Sequence, residues 1–325
     1  MARVFSGIQP TGTKHLGNYI GAIRHYVGDQ DKGEAFYCVV DLHAISVPYD
    51  VPALRENTLD TAATLLAAGL DPERCTLFVQ SHVDAHAYGA WLLGALATVG
   101  ELGRMTQFKE KSENRDSVSV DLFTYPVLQA ADILLYQADR VPVGDDQRQH
   151  LELARDIAQR FNSRFGQLFV LPEAAIPTSG HRVMDLQDPT RKMSTTRGTP
   201  QGTVLVTDPP DVVAKKVRSA VTDSGREVRG GEGKEGIANL IEILSVAGGQ
   251  TPEQIEAAYD GKGYGDFKAD VADAVVELLR PVRERYIDLR SHEDELETIL
   301  RRGAEHARSV ASATLAEMRR RMGFE

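Results

Sequence analysis

Short runs of β-branched and aromatic residues alternate with longer stretches of helical periodicity through the first half of this 325-residue chain, and that alternation leaves few folds open. Apolar runs at 4–8, 35–40, 76–80 and 140–143 are separated by helical patterns near 17–27, 53–69, 86–99 and 126–138. Strands alternating with helices in this way build βαβ units and a mainly parallel sheet. The expected fold class is therefore α/β: a Rossmann-like, doubly wound parallel sheet over residues 1–196, followed by an α-helical domain over 197–325. Ligands of such sheets sit beyond the carboxyl ends of the strands, so residues around Gln9, Asp41 and Gly144 are expected to converge on one crevice. In the second half, glycine-rich breaks at 225–236 and 261–265 divide the helical pattern. The last helix is expected over 304–322, with the option of packing back on the first domain.

The formal charge of −10 excludes a surface coated with cations for indiscriminate DNA binding, although a local basic patch is compatible with it. Only Cys38 and Cys75 are present, so neither a disulfide framework nor a cysteine-rich metal site can be built, and the thiols read as structural in a reducing compartment. The longest apolar stretches, such as 90–99, fall short of the roughly 18 residues that a membrane span needs. A soluble, cytoplasmic protein with no membrane partner is expected.

Five elements could carry chemistry. The corner Ser6-Gly7-Ile8-Gln9-Pro10-Thr11-Gly12-Thr13-Lys14-His15-Leu16-Gly17-Asn18 runs from a strand through a glycine-rich turn into a helix start, a place where backbone N–H groups favour anions. His15 there reads equally as a helix cap. Lys109 and Lys111 lie in a short polar segment just beyond a helix and read either as a cationic site or as solvated surface. Gly144, Asp145, Asp146 and Gln147 follow a strand, where a carboxylate either caps the next helix, expected over 147–161, or grips ribose hydroxyls. Asp132 stands on the apolar helix that carries Leu128, Ala131 and Leu135, so it either has internal donors or awaits a donor from a ligand. Finally, residues 188–198 combine helix breakers, hydroxyls and cations in an exposed loop, and Arg319, Arg320 and Arg321 end the last helix.

Taken together, HLGN at 15–18, the two lysines, the helix of Asp132, GDDQ at 144–147 and KMS at 192–194 resemble, in order and spacing, the class I aminoacyl-tRNA synthetases, and most closely the bacterial tryptophanyl-tRNA synthetase family. The resemblance runs nearly end to end. It implies a Rossmann-type catalytic domain and a helical anticodon-binding domain. The implied activity is formation of tryptophanyl-adenylate from L-tryptophan and ATP with Mg²⁺, followed by transfer to tRNA(Trp). It implies no metal held by the protein itself, no DNA partner, and a homodimer to which residues 87–99 contribute if they are not simply core. His15 and Asn18 match the first and last places of the HIGH signature, and Lys109, Lys111 and Lys192 match family lysines that act on the phosphates. By the same resemblance ATP is held by Gln9, Pro10, Thr11, Gly17 and Asn18, by Gly144, Asp145 and Asp146 at the ribose, by the Val183 backbone at adenine, and by Lys192, Met193, Ser194, Thr195 and Thr196. Tryptophan is held by Asp132 at the indole N–H, by Phe5, Gly7, His43, Gln129, Val141 and Val143 around the ring, and by Tyr125 and Gln147 at its polar end. Arg301, Arg302 and Arg308 are candidates for tRNA phosphates.

Two residues depart from the family pattern. Its KMSKS loop reads here Lys192-Met193-Ser194-Thr195-Thr196, so the second lysine is missing, and Arg191 or Arg197, with Lys109 and Lys111, is expected to restore the charge. Gln129 stands where methionine is common. Two other readings fit parts of the pattern: a small-molecule adenylyltransferase, which needs neither a helical tRNA-binding domain nor the Asp132 pocket, and a catalytically silent relative, for which the missing lysine argues.

Overall fold

The computed structural model describes residues 2–113, 117–144, 147–175, 182–195 and 197–324. Five strands form its centre: β1 (Arg3–Ile8), β2 (Glu34–Val39), β3 (Thr76–Val79), β4 (Arg140–Pro142) and β5 (Glu173–Ala175). They lie in the order β3-β2-β1-β4-β5, and every pairing is parallel, with β1 and β2 in register from Arg3 opposite Glu34 to Ile8 opposite Val39. The chain starts in the middle, works outward to β3 and then crosses to β4, so the strand order reverses between β1 and β4. Connections leave that point in opposite directions, which opens a crevice at the carboxyl ends of the two strands.

Four of the strands stand within a residue of their expected positions. β5 has no counterpart in the sequence reading, because Glu173-Ala174-Ala175 is only three residues long and carries nothing β-branched or aromatic. Helix boundaries moved further. The helix expected to start at Pro126 begins six residues earlier, as Val120–Leu134, and burial of Leu122, Tyr125 and Val127 holds it together although Pro126 cannot donate to the Leu122 carbonyl. The helix expected over 86–99 ends at Gly94. A new turn, Val99–Leu102, starts at Thr98, whose hydroxyl accepts the Glu101 N–H (3.2 Å) while the Glu101 carboxylate accepts the Thr98 N–H (3.0 Å). The last helix is Glu293–Met322 and follows almost directly on Tyr264–Ser291.

Alternation of side chains along each strand builds two cores, one on each face of the sheet. Val4, Tyr37, Val39 and Leu77 face the helix Val51–Ala67 and, beyond it, Val213, Ile237, Phe267 and Val275 of the C-terminal helices. Phe5, Phe36, Cys38, Phe78 and Val141 face Val120–Leu134 and Arg148–Phe165. The last helix then lies along the outer edge of β3, where Ala304, Ala307 and Ala311 join the second core. It approaches so closely that a Cβ on Gly303 would stand 1.9 Å from the Leu77 carbonyl oxygen. Two of the arginines suggested for tRNA fasten this contact: Arg302 pairs with Glu73 (2.9 Å), and Arg308 donates to the His82 carbonyl (2.6 Å). Arg321, at the same helix's end, bonds the Gln167 carbonyl (2.8 Å). Among the described residues no helix is long and apolar enough to cross a membrane.

Gly303→Ala should push the last helix off β3. The expected loss is about 1–3 kcal/mol of stability, the usual range for overpacking, read as a lower urea midpoint with an unchanged slope.

Candidate active site

A cavity of about 410 Å³ opens at the reversal point between β1 and β4. All nine residues expected around the amino acid line it: Phe5, Gly7, His43, Tyr125, Gln129, Asp132, Val141, Val143 and Gln147. Gln9, Lys111 and Gly144 join them from the residues expected at ATP. Gly7 keeps the slot open, since a Cβ there would come within 3.0 Å of Val40 Cγ1. Across the mouth, Gln129 donates to the Gln147 side-chain oxygen (3.3 Å). Asp41 does not reach this crevice. Val40 and His43, on either side of it after β2, do line the cavity, whereas Asp41 itself accepts the Ser81 N–H (2.9 Å) and lines a separate groove between Val51–Ala67 and the last helix.

The buried carboxylate of Asp132 organises the floor. It is 1% exposed and already has three internal donors: His43 Nε2 at 2.7 Å on Oδ2, with His86 Nδ1 at 2.6 Å and Gln80 Nε2 at 2.7 Å on Oδ1. Burial pushes its pKa upward, but the hydrogen bonds and charge of His43 and His86 outweigh this and hold the carboxyl well below the usual range. An ionised carboxylate can only accept, so His86 carries a proton on Nδ1, while its Nε2 lies 2.8 Å from the Tyr136 hydroxyl. Of the two readings of Asp132, the one with internal donors describes these three contacts. A carboxylate has about four acceptor positions, and three donors leave one for a ligand in the cavity. The Tyr125 hydroxyl shares a 2.7 Å hydrogen bond with His150 Nε2, and burial together with the charge of Glu110 pushes its pKa up to about 12.

Only one of the two lysines at 109 and 111 belongs to the cavity. Both stand on a helix of their own, Thr106–Ser112, rather than beyond one. Positions two apart on a helix diverge by about 200°. Lys111 lines the cavity with its ammonium 5.1 Å from the Tyr125 ring centre, while Lys109 is exposed outside it.

The HLGN corner and the KMS segment meet through the backbone. Leu16 donates to the Val204 carbonyl (2.8 Å) and Val206 to that of Lys14 (3.0 Å), so the start of the chain pairs with the strand-like segment that follows the KMS loop. His15 is a helix cap, as one reading had it. Its Nδ1 accepts the Asn18 N–H (3.2 Å), and the Asn18 amide oxygen accepts the His15 N–H (3.1 Å). Burial, then the charges of Lys192 and Lys14, lower its pKa to about 4, so the ring is neutral at pH 7. Gly17 is needed beneath that ring, since a Cβ would stand 3.1 Å from it. Pro10 is buried beside the corner, and Thr11 is exposed. On the facing segment the Val183 carbonyl accepts the Met193 N–H (3.1 Å), and Met193 is buried. The loop expected to be wholly exposed therefore hangs on one apolar anchor, with Lys192, Thr195 and Arg197 outside and Ser194 half-buried. Asp145, Asp146 and Thr196 lie outside the described residues.

The sequence profile described as tRNA synthetases class I (W and Y) matches residues 1–280. The chain belongs to this family. Among its relatives, this class I synthetase is 54% identical to Tryptophan--tRNA ligase 2 of Streptomyces avermitilis, covering 99% of this chain and 97% of that one. The tryptophanyl-tRNA synthetase structure from Mycoplasma pneumoniae matches with a TM-score of 0.89 at 37% identity, covering 99% and 98% of the two chains. The Campylobacter jejuni enzyme, solved with ADP and tryptophan, matches at 0.87 and 34%, covering 99% of each.

Sequence reasoning missed the residues behind the cavity of this synthetase. Gln80, His86 and Tyr136 serve Asp132, and His150 serves Tyr125. Each is a polar residue at an apolar helical or strand-end position, which was the only available signal. Asp185, buried under the KMS loop, was also missed. Its carboxylate accepts the Gln187 and Asp188 N–H groups (2.8 and 3.2 Å), and Gly202 lies so close that a Cβ would stand 1.8 Å from it.

In histidine NMR, His15 should titrate near pH 4, and Lys192→Ala should raise that value. Because the folded pKa lies below the unfolded value of 6.5, the unfolded chain binds more protons between them, so His15 should make the fold more stable as pH rises from about 4 to 6.5.

Proposed function

We infer that this chain is a tryptophan–tRNA ligase. It joins L-tryptophan to ATP, giving tryptophanyl-adenylate and pyrophosphate, and then passes tryptophan to tRNA(Trp). The observation that carries the reading is the ionised Asp132 on the floor of the cavity at the strand reversal. Its remaining acceptor position suits the indole N–H, and an amino acid without such a donor forgoes that hydrogen bond to a charged group, at a cost of about 1.5–3 kcal/mol. Tyrosine could also supply a donor, and the full-length likeness to a tryptophan–tRNA ligase supports tryptophan.

The chemistry needs no protein nucleophile. The tryptophan carboxylate forms a bond to the α-phosphorus, the bond to the bridging oxygen breaks, and the electron pair leaves with pyrophosphate. A hydroxyl of the terminal tRNA ribose then attacks the tryptophan carbonyl and releases AMP. The protein's contribution is position and charge. Tyr125 and Gln147 hold the polar end of tryptophan, Phe5, Gly7, His43, Gln129, Val141 and Val143 frame the ring, and Gln9 to Thr11, Gly17 and Asn18 receive ATP. Gly144 with Asp145 and Asp146 takes the ribose, and the Val183 backbone takes adenine. Lys111 and Lys192, with Lys109 beyond the mouth, and Met193 to Thr196 close on the phosphates. Neutral His15 holds its corner by capping and donates no proton. Mg²⁺ comes bound to the triphosphate, as part of the substrate.

In the same reading the helical half from about residue 197 recognises the anticodon, and the enzyme works in the cytoplasm, where the buried free thiols of Cys38 and Cys75 stay reduced. Its dimer forms through the face where Trp91, Val99 and Val120 are 81%, 77% and 78% exposed, on helices packed side by side.

Pyrophosphate exchange into ATP, run with each of the twenty amino acids, tests the activation step. Tryptophan alone should support it, and Asp132→Ala should lower kcat/KM for tryptophan by about 100-fold. Exchange driven by tyrosine would overturn the specificity, and none would favour a silent relative. Acylation of bulk tRNA separates a ligase from a small-molecule adenylyltransferase. Trp91→Glu should shift the light-scattering mass from dimer to monomer with unchanged circular dichroism.

A further inference from the structure

The phosphate site proposed above is one lysine short on its KMS side, and its neighbours on that loop do not make up the loss. Arg191 faces its own Asp188 at 3.8 Å, and Arg197 is exposed on the outside of the turn. A different cation stands behind Gln9, which lines the cavity. Lys14, in the turn between β1 and the first helix, is only 7% exposed, and its ammonium donates to the Gln9 carbonyl at 2.6 Å. Burial lowers its pKa to about 8, with no carboxylate among the described residues opposing the shift, and the group is still protonated at neutral pH. An ammonium has three donors, and the Gln9 carbonyl uses one.

An ionised lysine held in a protein interior without a counter-ion is costly, and an anion that completes it recovers the cost. Two observations say where that anion belongs. Gln9, the residue Lys14 holds, lines the cavity at the strand reversal. His15, next in the chain, has its pKa lowered by burial and then by the charges of Lys192 and Lys14, so ammonium groups from two different loops lie within electrostatic reach of one neutral imidazole.

We propose that Lys14 is a second fixed cation of the ATP phosphate site, supplying from the first loop the charge absent at Thr195. The assignment rests on the ligase reading for the identity of the ligand. Its consequence is a division of labour: one charge is buried in the corner after β1, and Lys192 stands exposed on the KMS segment.

Isothermal titration of the full-length protein with ATP–Mg²⁺, with pyrophosphate and with tryptophan tests this on the wild type, Lys14→Gln, Lys14→Arg, and Lys14→Gln combined with Thr195→Lys. Glutamine keeps an N–H for the Gln9 carbonyl and removes only the charge. It should weaken ATP and pyrophosphate about tenfold each, the usual size for one charge-assisted contact, while tryptophan affinity stays within about twofold. Arginine should retain most of the affinity, and Thr195→Lys should recover it. Unchanged ATP and pyrophosphate affinity in Lys14→Gln would overturn the proposal. So would an equal loss for tryptophan with no recovery by Thr195→Lys, which marks a structural staple of the turn. Phosphate binding that responds to Lys14 in a wild-type protein without tryptophan-dependent exchange supports the cation and overturns the ligase reading, so the two failures are distinguishable.

Discussion

An ionised carboxylate inside an apolar helix has to be surrounded by donors, and that requirement organises much of the sheet's second face. Asp132 draws His43 from the turn after β2, Gln80 from the turn after β3, and His86 from the helix Ala85–Gly94. These elements are otherwise held by apolar contacts, which tolerate sliding, whereas hydrogen bonds at 2.6–2.7 Å to one buried anion do not. The aromatic group around Tyr136 sits directly behind, with the Phe36 and Phe5 rings 4.7 and 5.4 Å from it. The floor of the cavity is therefore rigid before any ligand arrives.

The other wall has the opposite character. The KMS segment is joined to the body by a buried methionine, a few backbone hydrogen bonds and the Asp185 turn, and its charged side chains face outward. A preorganised floor facing a loop with one anchor fits a reaction in which the amino acid must be selected tightly while a triphosphate enters and pyrophosphate leaves.

Periodicity and composition were enough to read the parallel sheet, because apolar β-branched runs at regular intervals have few other solutions. Boundaries were not, since they depend on competition between local signals. Pro126 reads as a helix start, yet packing of Leu122 and Tyr125 carries the helix past it, and the Thr98–Glu101 capping box ends what looks like one apolar helix. The nine cavity residues were found through resemblance to a family, and the structure brings them together. Their supports were invisible for a plain reason. His86 and Gln80 lie 46 and 52 positions from Asp132, and nothing along the chain announces a hydrogen bond over that separation. Lys109 and Lys111 show the converse, because adjacency in sequence suggested a pair that helical geometry turns apart. Around Asp41 the expectation holds for Val40 and His43, which line the cavity, while the Asp41 side chain turns away to Ser81.

The close seat of Gly303 on β3 bears on how the molecule is made. β3 is the outermost strand on its side, and the segment that covers its free edge lies more than 200 residues later in the chain. During synthesis the sheet can therefore assemble with that edge unprotected, a template on which another unfinished chain could pair. Ribosomes translating this message in close succession would hold several such edges near one another until the final helix emerges and covers each of them.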